Sequence, residues 1–507
     1  MRRIARIEVG TQSMRVYDYN DEFFYHVRRF LSRELSKHEL VPVERSTKME
    51  KKITAVFASK TKDNREFRIT VNVKKEFLDF MRYAGYNPSR IEIIELPVSP
   101  GVDVPFQFKE PWGQPQDHQI PWVQYQDAPG SIKINTLQTG KGKTFCALRT
   151  MVTMGKRTII TLSPKYLQTW LNAFDKFFDF ELGDVAIVQG TEGVIKTLDM
   201  IEQGKLNPKI IVLSLQTLQF FMKAYEHLEE LPYNVDDMWR IFDCGLRIQD
   251  EGHEAIHAIY KTLMYGNVAK TLILSATLEG DSQFINRIYE LTYPMKDRFK
   301  GTGYDKYIEA VAFMYSMDCQ ANQVKWKGRM GYSHIKLEQS ILKRKSTLDH
   351  YLALIDSALK HYYLKVREPG MKCLIFCATV EMCLVLSMYL KNRYPQLHID
   401  KYTSIDPPEN YMEPDIVCST PKSCGTGVDI PGLRTTLTPV AVGASQLNNQ
   451  MLGRLRKMSG PWASISPTFV YFVCEDIKPH VQYHRKRMEI FENKTISMKT
   501  VRSGVSF

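Results

Sequence analysis

Holding a phosphate needs backbone N–H groups that can come close and a cation to neutralise it, and one stretch supplies both. In Leu137-Gln138-Thr139-Gly140-Lys141-Gly142-Lys143-Thr144 two glycines alternate with lysines just after the apolar run Ile132–Leu137. A helix is expected directly behind it, over Phe145–Val152. Glycines let the backbone approach phosphate oxygens, and a helix start adds a favourable dipole. Lys143 is placed to neutralise the β- and γ-phosphates of ATP and Thr144 to ligate Mg²⁺, with Thr139, Gly140, Lys141 and Gly142 completing the cradle. The general phosphate-loop pattern has glycine where this chain has Leu137. A second group, Asp250-Glu251-Gly252-His253, ends the apolar run Leu246–Gln249. There Asp250 suits Mg²⁺ and Glu251 suits polarising a water aligned with the γ-phosphate. A third, Ser275-Ala276-Thr277, closes the run Thr271–Leu274 with two small hydroxyls that can relay a change at the phosphate.

Taken in order, these groups resemble helicase superfamily 2, and the likeness extends from Gln119 to about Val473. Ser163-Pro164 through Trp170, and Ser214 with Thr217, resemble the motifs that touch the nucleic-acid backbone. Leu374–Ala378 fits the strand opening a second lobe. Ser419-Thr420 followed by Gly425-Thr426-Gly427-Val428-Asp429 resembles motif V, and Gln450-Met451-Leu452-Gly453-Arg454-Leu455-Arg456-Lys457 resembles motif VI. The resemblance implies that Gly427 and Asp429 join the ATP site and that Thr420 and Thr426 meet nucleic acid. It further implies that His253, Ser275 and Thr277 couple the two events. Gln450 and Arg454 would complete catalysis from the second lobe. The family's second arginine falls at Lys457, with Arg456 beside it, and a lysine cannot give the bidentate fork of a guanidinium. Of two glutamines ahead of the phosphate loop, Gln119 and Gln126, the former opens a proline-led helix and suits the adenine reader. Asp-Glu-Gly-His, with Gln rather than His opening motif VI, points to the DNA-acting branch. The nearest likeness is to the branch-remodelling helicases of large bacteriophages.

The elements that must carry these residues follow from periodicity. Short β-branched runs separated by helix-length segments argue for parallel sheets covered on both faces. One series runs Ile132–Leu137, Thr158–Leu162, Lys209–Leu213, Leu246–Gln249 and Thr271–Leu274. A second runs Cys373–Cys377, His398–Tyr402, Asp415–Cys418, Arg434–Val442 and Thr468–Val473. The expected class is α/β, with two tandem RecA-like lobes at 117–285 and 371–507. Ahead of them lie a small α+β domain over 1–100 and a breaker-rich linker over 101–116; a helical, basic segment over 286–370 separates the lobes. In the first hundred residues strands are expected at Ile4–Val9 and Arg90–Leu96, helices at Asn20–Ser36 and Lys75–Ala84, and a hairpin joining Lys52–Ser59 to Glu66–Val73.

Composition is that of a soluble globular protein, with 44% hydrophobic and 24% charged residues. No run approaches a membrane span, and the start lacks the apolar core of a secretory signal. Nine cysteines without paired CxxC spacing argue against zinc and for reduced, buried thiols in the cytoplasm. The net charge of +12 suits a polyanionic partner, DNA ahead of RNA, engaged by a monomeric motor. Residues 1–100 hold 20 Lys and Arg against 14 Asp and Glu, a net +6. Basic and aromatic residues interleave there (Tyr25, Arg28, Arg29, Arg33, Lys51, Lys52, Phe67), as a strand-binding surface requires. Lys325–Lys345 is a second basic stretch, and His257 reads as a surface residue. The sequence leaves open a duplex translocase that separates no strands, an RNA helicase, and a binding scaffold with an inert ATP site.

Overall fold

The computed structural model describes residues 3–42, 49–138, 140–275, 278, 280, 282–299, 305–328, 331–403, 405–407, 409–424 and 430–507. The chain divides into two compact units, Met1–Gly301 and Thr302–Phe507.

The first unit begins with β1 (Ala5–Val9), β2 (Ser13–Tyr17), β3 (Ser36–Pro42), β4 (Met49–Val56), β5 (Ser59–Lys60), β6 (Glu66–Thr70) and β7 (Ile91–Glu95). A mixed sheet runs β5-β6-β2-β1-β7, with β1 and β7 parallel and the other pairs antiparallel. Helices Asp21–Glu34, capped by Asn20, and Lys74–Tyr83 meet at Phe30 and Phe77, whose rings lie 5.2 Å apart. The expected hairpin is only half right. β6 pairs with the two-residue β5, whereas β4 pairs with β3 in a separate ribbon.

Next come β8 (Ile132–Asn135), β9 (Thr158–Leu162), β10 (Val185–Val188), β11 (Ile210–Ser214), β12 (Leu246–Gln249) and β13 (Lys270–Leu274). They form one sheet in the order β10-β11-β9-β12-β13-β8, every pair parallel. Complete burial of β9, β12 and β13 explains their unbroken apolar character.

The N-terminal residues are no separate domain. Ala5, Ile7, Phe57 and Phe67 share a core with Phe221, Trp239, Tyr260 and Tyr265. Polar ties cross the same seam. Arg68, nearly enclosed, pairs with Glu66 at 2.8 Å and Asp236 at 2.6 Å, and lies 4.4 Å from the Tyr265 ring. Nor is 101–116 a free linker. Ser99 bridges Val268 and Asp103 bridges Lys156, while Gly101, at φ +71°, sits so close to Gly245 that a Cβ would overlap its backbone. The breakers follow the lobe's surface because each turn must let the chain lie flat on it.

The second unit holds β14 (Glu309–Ser316), β15 (Lys327–Gly328), β16 (Gly331–Tyr332), β17 (Lys372–Phe376), β18 (Ile399–Tyr402), β19 (Ile416–Ser419), β20 (Leu433–Thr438), β21 (Thr468–Cys474) and β22 (Ser497–Ser506). Its main sheet runs β18-β19-β17-β20-β21-β14-β22, again all parallel. Both all-parallel sheets accord with the α/β class expected of the two lobes. The segment expected to separate the lobes is instead divided between them. Helix Gln283–Thr292 packs in the first unit, whereas β14 and the helices His334–Leu342 and Lys345–Leu359 belong to the second. No helix among the described residues is long and apolar enough to cross a membrane.

Candidate nucleotide site and nucleic-acid track

A parallel sheet sends every strand out at the same edge, so the turns that follow its strands gather there. The first unit's motifs all occupy such turns. The phosphate loop follows β8, Ser163 and Pro164 follow β9, Ser214 ends β11, Asp250 follows β12 and Ser275 follows β13.

Gly140 and Gly142 have φ of +80° and +89°, conformations that admit glycine most readily. Helix Lys143–Met154 starts at the loop's end, with Thr144 half-buried in its first turn. The buried Lys143 Nζ donates to the Leu137 carbonyl at 3.2 Å. Gln119 reaches this loop, as its Nε2 donates to the Lys141 carbonyl at 3.0 Å while its Oε1 accepts from Gln116 N at 2.9 Å. Gln126 points into the protein, fully buried near Thr150.

Asp250 is half-buried at the β12 exit. Its Oδ2 accepts from Trp170 Nε1 at 2.8 Å and its Oδ1 from Glu251 N at 2.9 Å, which leaves further lone pairs on both oxygens. Burial raises this carboxyl above the ordinary range, and the adjacent Glu251 charge adds to the rise; the Trp170 N–H and Lys143 oppose it. Glu251 takes φ +46°, an uncommon conformation for a non-glycine residue. His253 Nδ1 lies 3.0 Å from Ser275 Oγ and 3.1 Å from Glu251 Oε2. Burial lowers the imidazole to about 4, so it is neutral at pH 7. Tyr293 and Tyr289 hydroxyls donate to the Gly252 and His253 carbonyls at 2.7 and 2.8 Å. Glu254 accepts from Lys165 at 2.9 Å and Tyr166 at 2.6 Å, joining this turn to the one after β9.

Pro164, Ser214 and Thr217 line one cleft of about 320 Å³ beside the exposed Ile187 and Phe220. Ser214 Oγ accepts from Thr217 N at 3.0 Å, capping helix Leu215–Glu226. Thr217 Oγ1 accepts from Gly190 N at 3.0 Å.

In the second unit Thr420 is buried after β19, with its Oγ1 3.0 Å from Ser423 Oγ. Helix Ser445–Leu452 carries the half-buried Gln450, and the turn beyond it holds the buried Arg454, whose Nε donates to the Gln450 carbonyl at 3.4 Å. Arg456 donates to the Gly453 carbonyl, and Lys457 is exposed. At the β17 exit the buried Glu338 accepts from Ala378 N at 2.7 Å, Thr379 N at 2.8 Å and Thr379 Oγ1 at 2.9 Å. Thr139, Thr277, Thr426, Gly427 and Asp429 lie outside the described residues.

No family profile and no curated protein matches the chain. Among solved structures, Dbp5 of S. cerevisiae bound to RNA and ADP–BeF3 matches 77% of this chain and 90% of its own, with 14% identity and a TM-score of 0.48. T4 UvsW matches 98% and 99%, with 14% identity and a TM-score of 0.34. A fragment of an HsdR subunit of a type I restriction enzyme from Vibrio vulnificus matches 77% and 69%, with 16% identity and a TM-score of 0.47. What marks the likeness in this chain is the ordered motif set, with phosphate loop, acidic pair and Ser275 at one sheet edge. In that order the motifs carry the resemblance to helicase superfamily 2 seen in the sequence. Within that superfamily 2 pattern, sequence reasoning overlooked Trp170 as the holder of Asp250, the two tyrosines behind the acidic turn, and Phe220. Trp170 and Asp250 stand 80 positions apart, so no local pattern links them.

Proposed function

We propose that this chain is a nucleic-acid-dependent ATPase of superfamily 2 that moves along or remodels DNA. The observation that carries the reading is the gathering of Lys143, Asp250 and Glu251 at one sheet edge, beside a loop whose Gly140 and Gly142 keep the backbone open. The residues fit ATP with Mg²⁺: Gly140 and Gly142 add no side chains of their own to the loop, and Asp250 retains unused acceptor capacity. Lys143 and the N–H groups at the helix start would hold the phosphates, Thr144 and Asp250 the cation, and Gln119 the base. Bound ATP supplies the phosphoryl group whose transfer to water drives the cycle. Glu251 orients and polarises that water. Neutral His253, hydrogen-bonded between Glu251 and Ser275, links the carboxylate to the β13 exit. Gly427 and Asp429 are assigned to the same nucleotide, and Thr139 to its phosphates.

Arg454 is proposed as the second unit's charge for the hydrolytic state, with Gln450, and with Arg456 or Lys457 as its helper. Ser163, Pro164, Ser214, Thr217, Thr420 and Thr426 are assigned to the nucleic-acid backbone, and Thr277 to coupling. ATP turnover measured in parallel with single-stranded DNA, duplex, forked DNA and RNA tests the reading. Stimulation by a DNA form above RNA is expected; turnover indifferent to every nucleic acid would overturn it. Strand displacement beside triplex displacement then separates a helicase from a translocase that keeps strands paired.

A further inference from the structure

One cleft lies away from the motifs. It has a volume of about 870 Å³ and lies between helix Asp21–Glu34, the β3–β4 ribbon and two helices of the first parallel sheet's layer. Tyr25, Arg28 and Arg29 stand at i, i+3 and i+4 and so share one helix face. Tyr25 is 59% exposed, with the Arg29 guanidinium 5.9 Å from its ring centroid. Arg33, Lys60 and Lys261 complete the cationic wall. Among the described residues the one carboxylate in this wall is Glu226, already engaged by Ser59 Oγ at 2.6 Å and Lys261 at 3.4 Å. Arg28, Arg29 and Lys60 form no ion pair among the described residues. Partial desolvation, with the neighbouring Arg28 charge, lowers the Lys60 ammonium below its usual range.

We propose that this cleft binds a nucleic-acid strand, with phosphates on Arg28, Arg29 and Lys60 and one base stacked on Tyr25. Charge alone would suit any polyanion. The exposed aromatic on the same helix face as two arginines selects one that carries planar bases. Because the cleft wall includes Glu226 and Lys261 from the ATP-bearing lobe, a strand held here is fixed to that lobe and travels with it. The inference rests on the nucleic-acid reading above, and extends it to a site outside the family motifs.

The test uses the full chain and the fluorescence anisotropy of labelled oligothymidylate and oligouridylate, with inorganic polyphosphate as competitor. Arg28→Glu with Arg29→Glu should weaken both oligonucleotides about ten-fold or more and lower the salt slope by about 0.7 for each phosphate no longer neutralised. Tyr25→Ala should weaken them about ten-fold, Tyr25→Phe should restore binding, and neither should alter competition by polyphosphate. Turnover without nucleic acid should be unchanged in all variants, which reports an intact fold. Wild-type affinity and slope in the double variant, with nucleic-acid-stimulated turnover intact, would overturn the cleft alone. So would an equal loss of polyphosphate binding in Tyr25→Ala. A wild-type chain neither bound nor stimulated by any oligonucleotide would fail the motor reading itself.

Discussion

Lys143 and Glu251 occupy one site but fail differently when changed. Lys143→Ala should abolish turnover and weaken nucleotide binding, with the unfolding temperature changed by only a few degrees, because a hydrogen bond such as that from Nζ to Leu137 contributes about 1 kcal/mol. Turnover and labelled-ATP binding check this. Glu251→Gln keeps the size of the side chain and removes only the charge that polarises water. Binding should persist while turnover falls by about 10²-fold or more. Both residues were legible in the sequence because their chemistry is local to a short motif. Glu338 was not, since its partners lie 40 and 41 positions away. Burial raises its carboxyl from 4.5 to about 7, against the opposing hydrogen bonds from Ala378 and Thr379. The unfolded chain therefore ionises first as pH rises. The stabilising contribution is complete below pH 4.5, declines through the interval to 7 and is lost above it, a difference of roughly 3 kcal/mol. Buried His334 and His480 act in the opposite sense, losing stability as pH falls below 6.5. The stability difference between wild type and Glu338→Gln, followed by denaturant titration across pH 4 to 8, isolates the carboxyl; a flat difference would refute its burial.

Elements were legible where burial imposed a pattern. β9 and β12 were read with their observed limits because fully buried strands are continuous apolar runs. β10 was missed: only four residues long, it is buried at one position. β22 was missed because as an edge strand it is mostly exposed, and its sequence is polar. β14 is apolar and almost wholly buried, yet it lies outside the regular strand–helix alternation that marked the lobe. Tight approach between elements was equally invisible. A Cβ at Gly252 would fall 2.5 Å from Ile273 Cγ2 and 3.2 Å from Tyr293 Oη, wedging the acidic turn away from β13. Gly252→Ala should therefore cost about 1–3 kcal/mol and slow turnover, although it touches no reacting group. Thermal unfolding with parallel turnover measurements checks both halves.

At the scale of the molecule, the N-terminal hundred residues cannot be removed cleanly. Their excision would uncover Phe221, Tyr260 and Tyr265 and leave Asp236 without Arg68. A chain beginning at residue 101 should lose the cooperative unfolding of the first unit and aggregate, which calorimetry and light scattering would detect. Point changes in the cleft are the proper probe of its binding role. The sequence marked those residues as an accessory domain because composition reveals charge and periodicity but not which apolar face meets which.

The seating of β14 sets an order of assembly. It is the first strand of its sheet to be synthesised, yet its two neighbours are the last, β21 and β22. On the ribosome the phosphate-loop sheet can close as soon as residue 274 has emerged. The other must hold the apolar Ala310–Tyr315 unpaired until residues 468–506 follow. That interval is when the nascent chain most needs a chaperone, and pairings so distant in sequence form slowly.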